Sequence, residues 1–209
     1  MKSFKFWTRQ EVNLTFGLTQ THDEFELLNN WLATEYAISD EDDNTINALA
    51  KKLKLRVNDW NEEELKMWFI SPLLSVIDYE VNSFTPFVDR ALSLKLNDET
   101  ISGKVDLFVA RGYEQPLQPY FFLHEYKPAN RGESDPIGQL LIAMVAAQQA
   151  NHEKFPIYGC YVVGRNWYFV VLDEKTYAIS NTFNATDFES LKNIVNALFF
   201  VKEQLKKIP

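Results

Sequence analysis

Asp106, Glu125 and Lys127 interrupt two apolar stretches that would otherwise be buried whole. The first stretch reads Gly103-Lys104-Val105-Asp106-Leu107-Phe108-Val109-Ala110, and the second reads Tyr120-Phe121-Phe122-Leu123-His124-Glu125-Tyr126-Lys127. On a strand, Glu125 and Lys127 are two residues apart and point to one face. Two carboxylates and an ammonium aimed at one spot can hold a divalent cation and steer a water, which is the chemistry of phosphodiester hydrolysis. Mg2+ takes oxygen ligands, keeps several waters and often uses only one or two protein carboxylates. Asp106 and Glu125 would supply these, with the carbonyl of Tyr126 as a third ligand, and Mn2+ would substitute for Mg2+. Lys127 would orient or acidify the attacking water and offset charge in the transition state. A Glu-X-Lys tripeptide alone carries little weight, because both residues are abundant, and an ion-pair row at strand ends is the competing reading. The combination is more specific: a strand with an inward Asp, a strand ending in Glu-X-Lys, then an apolar helix.

The elements that must position these residues follow from periodicity. Residues 23–37 form a predicted helix, with Phe25, Leu28, Trp31, Leu32 and Tyr36 at helical spacing. Residues 6–12 fit a short helix or a strand. The acidic run 40–43 suits a solvated helix start, with a helix over 44–55 following it. Residues 61–74 read as a helix capped by Asn58 or Asn61, with Leu65, Phe69 and Leu73 on one stripe, Glu62 at its N-terminal end and Pro72 as a kink point. Strands follow at 91–96, 101–110 and 119–127, with a turn at Asn97-Asp98 and a loop over 111–118. The chain breaks at residues 128–132. Asp135-Pro136 then opens a nearly apolar helix running to Gln148. Strands at 157–163 and 167–172 are joined by Gly164-Arg165-Asn166, and Thr186 or Asp187 caps a last helix reaching Lys206. This order predicts an α/β sandwich, a mixed β-sheet flanked by helices.

The order and the residues resemble the PD-(D/E)XK nuclease superfamily and, within it, the nuclease domain at the N-terminus of type I restriction enzyme R subunits. The resemblance covers residues 61–172 and implies a restriction-endonuclease-like core of helix, three-stranded meander, helix and strand. Asp106 matches the family's metal-binding Asp, and Glu125-Tyr126-Lys127 matches its (D/E)-X-K element. Glu62 matches an auxiliary Glu on the first helix, with Glu63 as the alternative. Gln139 resembles a polar residue that lines the same site in many members. The proline that names the motif is replaced by Val105, at a position that varies in the superfamily. The implied activity is Mg2+-dependent cleavage of DNA, with RNA not excluded. The alternative is a catalytically inactive nuclease-fold domain serving as a nucleic-acid or protein interaction module.

Composition bounds the rest. The chain has 209 residues, 46% of them hydrophobic and 14% aromatic, so it can bury a sizeable core. It divides into an aromatic-rich, mostly helical N-terminal extension (1–57), with no counterpart in the family, and the nuclease-like domain (58–209). The net charge is −8, from 21 basic and 29 acidic residues, which counts against broad wrapping of DNA. No apolar run approaches the roughly 20 residues of a membrane helix, and no secretory signal is visible. The single Cys160 excludes an internal disulfide and suits a reducing cytoplasm, where a buried structural role is the default. His124 alternates away from Glu125 and reads as a packing or surface histidine. The aromatic N-terminus could dock a partner subunit or a second copy of the chain.

Overall fold

The computed structural model describes residues 2–22, 24–97, 99–129, 135–152 and 155–208. Three long strands, β2 (Phe84–Leu96), β3 (Glu99–Arg111) and β4 (Leu117–Lys127), form an antiparallel meander once a two-residue edge strand, β1 (Thr19–Gln20), is set aside. β4 runs parallel to β5 (Ile157–Val163), reached through the helix α6 (Pro136–Ala150). Antiparallel β6 (Asn166–Asp173) and β7 (Thr176–Ile179) follow, and β8 (Phe183–Asn184) pairs with the start of β6. β1 closes the far edge parallel to β7, giving the order β1-β7-β6-β5-β4-β3-β2.

Helices cover both faces, because strands apolar on both sides need two cores. One core is built by α2 (Glu26–Leu32), α3 (Asp40–Arg56), α4 (Glu62–Leu65), α5 (Ser71–Ile77) and α7 (Phe188–Lys207). The other is built by a 3-10 turn (Phe4–Phe6), α1 (Arg9–Phe16) and α6. Along β4 the alternation is direct: Phe122 and Tyr126 enter the first core and Leu123 the second. The predicted mixed sheet flanked by helices is therefore present. Residues 1–57 feed both cores, with Leu28, Trp31, Ile46 and Leu53 in one and Phe4, Trp7, Val12 and Leu18 in the other. No helix among the described residues is long and apolar enough to cross a membrane.

Several boundaries differ from expectation. The predicted helix 23–37 is only Glu26–Leu32; Asp23 lies outside the described residues, and the Tyr36 N–H is taken by Asn196 Oδ1 of α7 (3.1 Å). The acidic run is the first turn of α3 itself, because Ser39 accepts the Asp42 N–H and caps the helix. Residues 9–16 are helical, started by a capping box between Thr8 and Glu11. The strand expected at 91–96 begins at Phe84, and β2 tolerates Pro86 because it lies at a sheet edge. Asn97 adopts a positive φ at the predicted turn, while Asp98 and residues 130–132 of the predicted break lie outside the described residues. The short strands β1, β7 and β8 have too few residues to show a period.

Candidate active site

The site is built where β3 and β4 stop exchanging main-chain hydrogen bonds. Their ladder runs from Arg111 opposite Leu117 to Leu107 opposite His124. Asp106 and Glu125 are the next residues along the two strands, just beyond that ladder. There the Asp106 side chain takes over, and its Oδ2 accepts the Tyr126 N–H at 2.8 Å. One carboxylate oxygen of Asp106 is thus committed to the backbone of β4, and Oδ1 is left to face the site.

A helix brings the third component. Asn61 and Glu64 form a capping box that starts α4. A π turn, Lys66–Ile70, separates α4 from α5, with the Ser71 N–H bonding the Lys66 carbonyl. Sequence reading marks Pro72 as a kink point, and the wide turn lies directly before it. The Pro72 ring would crowd the carbonyl of Trp68 in a regular helix, and a π turn relieves that contact. Such turns recur at functional sites. This one begins at Lys66, whose ammonium reaches the site.

The side chains form one network. Lys127 Nζ donates to Glu125 Oε1 (2.6 Å) and to the Tyr126 carbonyl (2.9 Å), and it lies 3.5 Å from Glu62 Oε2. Lys66 Nζ donates to Asp106 Oδ1 (2.8 Å), Glu62 Oε1 (2.8 Å) and Glu63 Oε1 (3.2 Å). Glu62 thereby bridges the two lysines, one on each oxygen. Its side chain is 33% exposed against 82% for Glu63, so of the two Glu62 lies deeper in the network.

Four carboxylates face two ammonium groups here, and the electrostatics reflect it. Burial raises the Glu125 carboxyl to about 8, and nearby Asp106 adds to the effect against the opposing pull of Lys127. Burial, the largest single effect, would lower Lys127, but Glu125, Asp106 and Glu62 together outweigh it and the ammonium ends above its ordinary value. Lys66 behaves alike: burial opposes its charge, and the hydrogen bonds to Asp106 and Glu62 more than restore it.

Glu125 and Glu62 are therefore joined through Lys127, Asp106 is linked to Glu62 through Lys66, and the Tyr126 carbonyl belongs to the same cluster through Lys127. Gln139 is buried near the start of α6, and its Oε1 takes no hydrogen bond. Among the described residues no hydrogen bond joins it to the four charged side chains. His124 lies on the opposite face, fully buried, with Nδ1 2.8 Å from the Tyr126 hydroxyl and 3.1 Å from Cys160 Sγ. Burial holds that imidazole neutral, down to about 3. Both His124 and Cys160 are packing residues, as their sequence context suggests. Lys66 is the member that sequence reading misses. The available signal was its i,i+4 spacing from Glu62, which gives no hint of Asp106, 40 residues away in the chain.

Among the described residues no group of three or more His, Cys, Asp and Glu side chains is gathered to cage a metal ion. A Mg2+ site needs less, one or two carboxylates beside bound water. Asp106 Oδ1, Glu125 and the Tyr126 carbonyl are hard oxygen donors of that kind. The excess of carboxylates over ammonium groups is of the kind that a divalent cation would relieve. No protein-family model matches the chain, and no curated protein matches it.

Proposed function

We propose that the protein is a metal-dependent nuclease of restriction-endonuclease-like fold that hydrolyses the phosphodiester bonds of DNA. One observation carries this reading: Lys127 donates to Glu125 at 2.6 Å and to the Tyr126 carbonyl, while the Tyr126 N–H donates to Asp106, so the three charged residues gather at the end of the β3–β4 ladder. Asp106 Oδ1, Glu125 and the Tyr126 carbonyl would hold Mg2+, with Mn2+ as the substitute. A bound ion there supplies Lewis-acid activation of the scissile phosphate and acidifies its water. Lys127 holds a proton next to the carboxylates and can offset negative charge that develops at phosphate oxygens. Glu62 fixes the position of Lys127 from the helix side.

The test is cleavage of single- and double-stranded DNA, and of RNA, with Mg2+ or Mn2+. Asp106→Ala and Lys127→Ala should each lower cleavage by about 100-fold or more while the circular dichroism spectrum stays that of the wild type. Absence of cleavage on every substrate with either metal would sink the enzymatic reading.

A second reading is supported by one specific contact. Lys66 neutralises Asp106 and Glu62 from within the chain, as an inactive nuclease-fold interaction module would require. In that case Mn2+ calorimetry shows no binding that depends on Asp106.

A further inference from the structure

We infer that Lys66 is the resident counter-cation of this site and that a divalent ion binds by displacing it. The inference rests on the metal-site reading above and adds a competitor to it. Lys66 Nζ has three N–H donors, and three carboxylates take them: Asp106 Oδ1, Glu62 Oε1 and Glu63 Oε1. The Asp106 contact decides the matter. Oδ2 of that residue is tied to the Tyr126 N–H, so Oδ1 is the oxygen left for a metal, and the ammonium lies 2.8 Å from it. A Mg2+ ion would sit about 2.1 Å from the same atom. Two cations on one carboxylate oxygen repel, so the metal gains its ligand by removing the lysine.

The surroundings allow that exchange. Lys66 carries its charge on a flexible four-carbon stem, so the ammonium can move without a shift of the helix. Its side chain is 19% exposed, and Glu63, at 82%, offers a partner at the solvent edge. The lysine can leave Asp106 and keep an ion pair on the same helix. Lys127 is tied differently, to Glu125, to the Tyr126 carbonyl and to the other oxygen of Glu62. The two lysines therefore divide the work: Lys127 belongs to the Glu-X-Lys strand, and Lys66 holds the place of the ion.

Mn2+ binding to the full-length protein, measured by calorimetry, tests this without a substrate. Lys66→Met removes the ammonium, and Lys66→Gln removes the charge while keeping an N–H donor for Asp106, in case the Met variant does not fold. Lys104→Met deletes an exposed lysine paired with Asp89 and serves as the control. The expected result is Mn2+ binding at least tenfold tighter in the folded Lys66 variants than in the wild type or the control. Binding only by the Lys66 variants overturns the displacement, because the ion then does not enter the wild-type site, and sinks the metal-dependent nuclease reading with it. Wild-type binding that is unchanged or weakened by the Lys66 substitutions overturns the inference and leaves the metal site standing. No binding by any of the proteins overturns both.

Discussion

Glu125 is buried beside Asp106, and its carboxyl is held up to about 8 while Lys127 donates to it. Protein stability should follow its titration. An acid with a raised folded pKa favours the fold at low pH; that advantage fades as the unfolded chain ionises above about 4.5 and is gone once the folded carboxyl ionises near 8. His124 acts in the opposite sense below its ordinary 6.5, because its neutral buried ring, lowered to about 3, loses stability as the pH falls. The two groups oppose each other between 4.5 and 6.5, so the window that isolates Glu125 is 6.5 to 8. There, with a chelator present, the wild type should lose stability on the order of 1–2 kcal/mol as pH rises, a few degrees in melting temperature. Glu125→Gln should flatten that slope. An equal slope in both proteins would place the carboxyl in an ordinary environment.

Asp135 shows how elements are joined to hold such a site. Its Oδ1 accepts the Gly138 N–H and caps α6, while its Oδ2 accepts the Arg9 N–H at the first turn of α1 (2.8 Å). One carboxylate thus serves two helix N-termini, each with unpaired donors and a partial positive charge. The packing between them is close: a Cβ on Gly138 would lie 2.3 Å from the Trp7 carbonyl oxygen. The Asp-Pro start of α6 is legible from sequence, since an acceptor followed by a residue lacking an N–H is a local signal. The bond to Arg9 is not, because it spans 126 residues. Asp135→Ala should destabilise the protein by about 2 kcal/mol, at the upper end for a helix cap, measured by urea unfolding. A loss as small as that of a surface substitution would show that the second helix does not depend on this carboxylate. The strands of the site were equally legible, because Asp106 and Glu125 interrupt apolar runs. The π turn was not, since its widening depends on how the Pro72 ring meets the preceding turn.

Trp31 ties the N-terminal helices into the whole. It is fully buried, its Nε1 donates to the Ala197 carbonyl of α7 (2.7 Å), and its ring meets Phe122, Tyr158 and Phe169 edge-on. A residue from the segment read as an extension therefore packs on the central strand β4, whose far end carries Glu125 and Lys127. Trp31→Ala should cost about 3–5 kcal/mol in chemical denaturation, the range for emptying a large aromatic site. A loss below about 1 kcal/mol would mean that the core closes over the vacancy. The net charge of −8 also has meaning at this scale. It has the same sign as the local excess of carboxylates at the site.

The sequence by itself determined the long strands, the start of α6 at Asp135-Pro136, the α/β layering and the identity of Asp106, Glu125 and Lys127 as charges within apolar runs. These are local properties, readable from alternation, spacing and capping residues. The tertiary structure decided which charges meet. Antiparallel pairing brings Asp106 and Glu125 to the end of one ladder, where one Asp106 oxygen is committed to Tyr126, and a helix 40 residues earlier in the chain delivers Lys66 to the other. Burial then raises Glu125, an effect absent from any single segment because it arises only when several elements exclude water together.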